Sequence, residues 1–353
     1  MISVCMIVKD EEENLKKCLE SIKKLDCEIV VVDTGSTDKS REVAYQYTDK
    51  VFEYRWNNDF SDARNFSISK AENDIVLIID ADEIITDTDI RHTKELMQKH
   101  NKAVGRINRR NEYKRNDEKY VFNEYVNRIF DRRYFMYEGK IHEQVVSKDG
   151  KEYPVYISSI FVDHKGYTDD EIIRKNKIKR NISMLKESIK DKKDPYLYYQ
   201  LGKSYYMNNN YEKAVESFES AFDCNVDTKY EYVEDLVETY GYSLINLGRY
   251  KESVVILNLY EEYKWSADYL FLCGLIYMNN EMFNEAVKQF KKATETKHCS
   301  MEGVNDYLSF YNIGVIYECT GNKYEAIKYY TLCDEYEKAV NRIKIIKQSV
   351  VHK

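Results

Sequence analysis

Two carboxylates one residue apart, Asp80 and Asp82, follow directly on the apolar run Ile75-Val76-Leu77-Ile78-Ile79, and Glu83 comes next. The run is short, continuous and rich in β-branched residues, so it reads as a buried strand. Acids at the end of a core strand are costly unless something uses them. A divalent cation holding a diphosphate fits best, because hard cations such as Mg²⁺ take carboxylates together with phosphate oxygens. Acidic turns after strands are also common in their own right, so the pair gains its weight from neighbouring clusters. Asp33-Thr34-Gly35-Ser36-Thr37-Asp38 follows another apolar run. There Gly35 permits a tight turn, and Ser36 or Thr37 can cap a helix whose N-terminus favours anions. A capped turn accounts for Gly35 to Asp38 but not for Asp33, whose carboxylate can accept a uracil N–H or a ribose hydroxyl. Further on, Asp59 or Ser61 is expected to cap a helix that exposes Arg64 and Asn65 in its first turns. That arginine can pair with phosphate, or with Asp59 or Asp62 on the surface.

These clusters need elements to hold them. Up to about residue 165 strands and helices alternate: strand 2–8, helix 11–24, strand 28–32, helix 37–47, strand 51–54, helix 61–71 and strand 75–79. Such alternation predicts a parallel sheet with helices on its faces, and ligands of such sheets sit beyond the carboxyl ends of the strands. Three of those ends carry Lys9-Asp10-Glu11, Asp33 to Asp38, and Asp80-Ala81-Asp82.

After residue 168 the strand signals stop and a repeat begins. Gly202, Gly241, Gly274 and Gly314 recur in steps of 39, 33 and 40 residues. Tyr205, Leu244, Tyr277 and Tyr317 lie three residues after each glycine, and the small residues Ala214, Ser253, Ala286 and Ala326 twelve after. Phe218, Leu257, Phe290 and Tyr330 lie four further on. The pattern resembles the tetratricopeptide repeat, a helix pair of about 34 residues with small residues where its helices touch. The tyrosine-rich stripe is assigned to core packing, and the concave face of the stack to a peptide or protein.

The bulk properties narrow the class. The chain has 353 residues, enough for two domains, and a net charge of −7, which argues against a general nucleic-acid binder. No apolar run approaches the ~20 residues of a membrane helix, so no transmembrane segment is expected. Met1 leads straight into an apolar strand pattern with no basic n-region, so no signal peptide is expected. Eight scattered cysteines without a CxxC pair fit reduced, structural thiols in a cytoplasm.

Taken in order, Val4-Cys5-Met6-Ile7-Val8-Lys9-Asp10-Glu11-Glu12, Val32 to Asp38, Asp59-Phe60-Ser61-Asp62-Ala63-Arg64-Asn65 and Asp80-Ala81-Asp82-Glu83 resemble a family 2 glycosyltransferase. Arg128-Ile129-Phe130, Gly139-Lys140-Ile141-His142-Glu143 and His164-Lys165-Gly166-Tyr167 continue the match. With the repeats, the chain resembles the bacterial family 2 transferases that carry such repeats, of the sublancin-type peptide S-glycosyltransferase kind. The resemblance implies an α/β GT-A domain, a Rossmann-like nucleotide-diphospho-sugar fold, over 1–168. It implies a linker helix over 169–193 and an all-α tetratricopeptide-repeat solenoid over 194–353. It implies a UDP-sugar bound by Ile7, Lys9, Glu11, Asp33, Gly35, Ser36, Arg64, Asn65, Asp80 and Ala81. It further implies Mn²⁺ or Mg²⁺ on Asp82 and His164, with Asp80 alongside. In the commoner family pattern a second aspartate follows Asp33, and here Thr34 takes its place.

Family 2 enzymes invert the anomeric centre, which needs a base opposite the leaving group. Glu143 falls where the family keeps a late acid; the alternative for it is a solvated charge on a strand, with His142 on the strand's other side. The basic run from Arg106, Arg109 and Arg110 to Lys114 and Arg115 is read as a solvated hairpin rather than an acceptor site. The function expected is an inverting, metal-dependent transfer from a UDP-sugar to a Ser, Thr or Cys side chain of a peptide held by the repeats. Transfer to a cell-envelope glycan or lipid-linked saccharide, with the repeats making a homodimer, is an alternative. A catalytically inactive repeat scaffold is another.

Overall fold

The structure, a computed structural model, describes residues 2–100, 102–115, 118–164 and 171–351. The chain divides into two compact units, Met1–Lys177 and Ile178–Lys353, and the division falls inside one helix, Glu171–Asp191. The expected boundary at 168 and the residues Lys165, Gly166 and Tyr167 lie outside the described residues, as do the side chains of Lys114 and Arg115.

The first unit runs β1 (Ile2–Val8), α1 (Glu12–Ile22), β2 (Glu28–Asp33), α2 (Ser40–Tyr45), β3 (Val51–Glu53), α3 (Phe60–Ser69) and β4 (Ile75–Ile78). It continues with β5 (Glu83–Thr88), α4 (Ile90–Lys99), β6 (Val104–Arg115), β7 (Glu118–Asp131), β8 (Phe135–Glu138), β9 (Gln144–Ser147), β10 (Val155–His164) and the start of α5 (Glu171–Asp191). Eight strands form one sheet in the order β3-β2-β1-β4-β7-β6-β10-β5, and β8 and β9 form a separate hairpin. β3, β2, β1 and β4 are parallel, as helix-linked strands must be. Beyond β4 the all-parallel expectation fails. β7 is antiparallel to β4, β6 and β7 form a long hairpin, β10 lies parallel to β6, and β5 closes the edge antiparallel to β10.

The parallel strands are apolar on both faces because both faces are covered. Val4, Met6 and Val31 pack on Leu15, Leu19 and Ile22 of α1. Cys5, Val30, Val76 and Ile78 point the other way, into a cluster with Ile68, Phe130, Phe135 and Tyr137.

Two local expectations are corrected. α2 starts at Ser40, not at residue 37, and neither Ser36 nor Thr37 caps it. Those side chains instead tie the loop after β1 to the loop after β2. Asp10 N–H donates to Ser36 Oγ at 3.0 Å, and Thr37 donates its N–H and hydroxyl to Asp10 Oδ1 at 2.7 and 3.1 Å. Likewise His142 and Glu143 are not on a strand. They sit in the turn between β8 and β9, entered by Gly139 at φ +106° and carrying His142 at φ +51°. The cap on α3 is Asp59, which accepts from Asp62 N–H at 3.0 Å.

The second unit holds α6 (Pro195–Met207) with α7 (Tyr211–Phe222), then α8 (Glu231–Asn246), α9 (Tyr250–Ser253) and α10 (Tyr260–Tyr263). It continues with α11 (Ala267–Asn279) and α12 (Phe283–Glu295), α13 (Tyr307–Cys319) and α14 (Lys323–Thr331), and ends on α15 (Glu337–Val351). The repeating glycines are where helix meets helix. A Cβ on Gly202, Gly274 or Gly314 would come within 2.3, 2.5 and 2.6 Å of the rings of Phe218, Phe290 and Tyr330. Ala214, Ser253, Ala286 and Ala326 are fully buried beside them.

The second copy departs from the pattern. Its second helix is broken into α9, a 3₁₀ stretch Val254–Leu259 and α10, and Gly241 faces Leu272 instead of Leu257. The β-branched run Val254-Val255-Ile256 is a weak helix former, and the Tyr269 hydroxyl donates to Ile256 O at 2.7 Å, drawing that carbonyl out of the ladder.

Gly202→Ala is expected to destabilise the repeat unit by about 1–3 kcal/mol, the cost of overpacking. Adding Phe218→Leu, which trims the ring, should recover part of that loss. Urea denaturation of the two variants checks both.

Candidate functional site

The carboxyl ends of β1, β2 and β4 carry the loops expected to bind a ligand, and the structure joins them to residues of β6, β7 and β10. Asp80 is the hub. Its Oδ1 accepts from Arg64 Nη2 of α3 at 2.8 Å and its Oδ2 from Arg128 Nη2 of β7 at 2.6 Å. Burial alone pushes its pKa up, but Arg128 and Arg64 outweigh that and hold the carboxyl far below the usual carboxylate range. Arg64 also donates Nε to Glu143 Oε1 at 2.5 Å. The strand-end aspartate and the turn glutamate, 63 positions apart in the sequence numbering, thus share one guanidinium.

Glu83 is fully buried and structural. Its Oε2 accepts the Asp80 N–H at 2.9 Å, and Glu83 N–H returns a bond to Asp80 O at 3.0 Å, closing the turn. Its Oε1 lies 3.3 Å from Arg128 Nη2 and 3.2 Å from Arg109 Nη1. Arg109 reaches on to Glu124 Oε1 at 2.9 Å. This corrects the reading of the basic run as a solvated hairpin: Arg109 is half-buried among carboxylates.

Asp82 faces His164. Asp82 Oδ2 lies 3.4 Å from His164 Nε2, and among the described residues no other side chain bonds Asp82. Burial raises the Asp82 pKa, yet the hydrogen bond and charge of His164 outweigh it and hold the carboxyl below its ordinary value. For His164 burial acts downward, and the Asp82 partner more than offsets it, so the imidazole sits above its ordinary value. Glu11 is close enough to feel Asp82: burial, then the Asp82 charge, pushes its pKa up against Asn14 and against Lys177, whose Nζ is 3.7 Å away.

The other expected donor-binding residues divide. Asp33 is buried at the end of β2 and accepts from Gly35 N–H at 3.3 Å and Ser36 N–H at 3.1 Å, with Gly35 at φ +105°. Thr34 spends its hydroxyl on Val8 O at 3.0 Å. Lys9 is exposed, Ile7 half-buried and Ala81 buried beside Asp80. Asn65 is corrected. Its amide donates to Tyr137 O at 2.8 Å and accepts from Tyr137 N–H at 2.9 Å, so it braces β8 instead of facing a ligand.

Asn111 escaped the sequence reading, and Arg128 and Arg109 entered it only within a family motif and a basic run, without the roles the structure gives them.

Two observations bear on a bound ion and an anionic ligand. Among the described residues no three His, Cys, Asp or Glu side chains form a group that could hold a metal, so Asp82 and His164 stand as a pair. A carboxylate and an imidazole leave four places of an octahedron to water and substrate, a donor set that suits Mn²⁺ better than the all-oxygen preference of Mg²⁺. Among the described residues Arg64, 7% exposed, has no partner for its Nη1. A buried guanidinium N–H of that kind calls for an acceptor from a ligand.

The description of Glycosyl transferase family 2 matches residues 3–148, and tetratricopeptide-repeat descriptions match 195–225, 267–297 and 307–340. The broken second repeat falls between those matches. The chain is 29% identical over 230 residues to the SPbeta prophage-derived glycosyltransferase SunS of Bacillus subtilis, covering 61% of this chain and 51% of that one. It is 45% identical over 82 residues to a TPR repeat-containing protein of Synechococcus elongatus (23% of this chain, 20% of that). An uncharacterized glycosyltransferase of Rickettsia typhi is 37% identical over 82 residues, or 23% and 28% of the two chains. The chain thus spans about half, or less, of the length of these curated relatives. Among solved structures, MamA is 20% identical with a TM-score of 0.40, over 50% of this chain and 99% of that one. No helix among the described residues is long and apolar enough to cross a membrane. The chain therefore joins a family 2 glycosyltransferase domain to a tetratricopeptide-repeat domain.

Proposed function

We propose that the chain transfers a sugar from a UDP-sugar to a peptide or protein side chain, with inversion and with help from a divalent cation held by Asp82 and His164. The observation that carries this reading is the pairing of Asp82 with His164 next to the Glu143–Arg64–Asp80 chain. One half suits a nucleotide diphosphate and the other suits proton removal. Five carboxylates (Asp80, Asp82, Glu83, Glu124 and Glu143) surround three guanidiniums (Arg64, Arg109 and Arg128), an excess of two negative charges with His164 neutral. A divalent cation matches that excess. Bound there, it would neutralise charge building on the departing diphosphate.

The roles of the protein groups follow. Asp33, Gly35 and Ser36 shape the loop against which the nucleoside rests. Arg64 Nη1 supplies a buried N–H to an anionic oxygen, and Asp80 keeps that guanidinium aimed. Glu143 acts as general base. Its Oε1 is fixed by Arg64, and among the described residues nothing bonds its Oε2. Oε2 takes the proton of an acceptor hydroxyl or thiol as the acceptor atom bonds the anomeric carbon, while the bond to the UDP oxygen breaks. The peptide acceptor is supported by the repeat domain, whose stacked helix pairs present an extended surface.

Incubating the protein with UDP-sugars and Mn²⁺, with and without EDTA, and weighing candidate peptides by mass spectrometry tests the reading. Sugar-dependent mass gain that EDTA abolishes is the expected result; absence of both transfer and UDP release refutes it. Asp82→Ala should weaken Mn²⁺-dependent UDP binding by at least about tenfold, read by calorimetry. Glu143→Gln should leave UDP affinity unchanged and lower the transfer rate by about 10²–10⁴-fold, the worth of a general base.

A further inference from the structure

A neutral imidazole has one N–H and one lone pair, and the partner of one ring nitrogen decides which role is left to the other. His164 Nδ1 faces Asn111 Oδ1 at 2.7 Å. The two residues are lateral neighbours, since His164 of β10 pairs with Asn111 of β6 in the sheet and with Glu83 of β5 on its other side. Asn111 is buried, and its own orientation is settled by its far end. Nδ2 donates to Glu124 Oε1 at 2.7 Å and lies 3.4 Å from Phe122 O. Both partners are acceptors, so turning the amide over would set its carbonyl oxygen against two oxygens. Oδ1 must therefore face His164, and a carbonyl oxygen only accepts. In the neutral ring the hydrogen belongs on Nδ1 and the lone pair falls to Nε2, 3.4 Å from Asp82 Oδ2. Glu124 in turn is held by Arg109 through Nη2 at 2.9 Å and Nε at 3.1 Å.

We propose that Asn111, oriented by Glu124, is the positioning residue that fixes the tautomer of His164 and makes Nε2 the metal-binding nitrogen. The metal half of this inference rests on the proposed function; the tautomer half does not. Asn111 also bonds Glu124, and through it Arg109, so the test reads the imidazole directly.

The test uses the full chain and two readouts. Nitrogen-15 NMR of His164 without metal, with the ring neutral, should show the hydrogen on Nδ1. In Asn111→Leu it should move to Nε2, where Asp82 accepts it. Electron paramagnetic resonance of free Mn²⁺ in the presence of UDP should show affinity falling about 10–100-fold in Asn111→Leu, the usual effect of removing such an outer partner. The double variant Asn111→Asp with Glu124→Gln restores an acceptor for Nδ1–H and a donor behind it, and should regain most of the affinity. Wild-type protein with its hydrogen on Nε2, or Asn111→Leu binding Mn²⁺ as tightly as wild type, overturns the inference. Wild-type protein with Nδ1–H but no Mn²⁺ binding overturns the metal reading while the tautomer assignment stands.

Discussion

The site depends on one carboxylate held between two guanidiniums. Asp80 takes Arg64 on one oxygen and Arg128 on the other, and each arginine carries a second acid, Glu143 and Glu83. Charges this far from water are tolerated only when each has its counterpart, because an uncompensated one costs several kcal/mol. The pairing therefore fixes more than its own members. It ties α3, the end of β4, β7 and the β8–β9 turn to a common point, and through Glu83 and Arg109 it extends to β6. A set of strands from opposite halves of the sheet is held in register by polar contacts at its mouth, and by apolar packing everywhere else.

The same arrangement separates two jobs that the acidic turn combines in sequence. Asp80 and Glu83 are spent on arginines and on the turn they close; among the described residues Asp82 has His164 as its side-chain partner. A turn produces this: Ala81 and Asp82 lie at its tip, while its ends, Asp80 and Glu83, bond each other and share Arg128. Three acids in a row of four thus become two braces and one group available to a ligand.

Much of this was legible in the sequence because it is local. The strand Ile75–Ile78 and its acidic end, the turn at Gly35 and the Asp59 cap follow from short-range chemistry, and the structure places them accordingly. His164 was reached through the family resemblance alone; the structure puts it next in the alternation of Ile160 and Val162 on β10. What could not be read is register between distant strands. Asn111, Arg109 and Glu124 acquire their roles only because β6 pairs with both β7 and β10, with shifts after Gly105 and Ile157 that no local pattern announces. The late start of α2 was hidden by a competition: Asp33 and Asp10 claim the groups at Gly35, Ser36 and Thr37 that would otherwise begin a helix. In the repeats, the glycine and small-residue spacing was legible since it reports close approach of helices. The break at Val254–Leu259 was not, because it depends on a tyrosine arriving from the next helix.

The bracing of β8 by α3 has a mechanical consequence. Phe60 N–H holds Lys140 O at 2.9 Å, Asn65 holds both sides of the Tyr137 peptide, and Arg64 holds Glu143. Three attachments from a single helix leave the hairpin no independent hinge. On the proposed reading, the proton acceptor cannot swing out to meet an incoming nucleophile, so the nucleophile must travel to it. A hydroxyl or thiol on a supple tether meets that demand more readily than one set in a stiff scaffold, and choice among acceptors becomes a matter of reach.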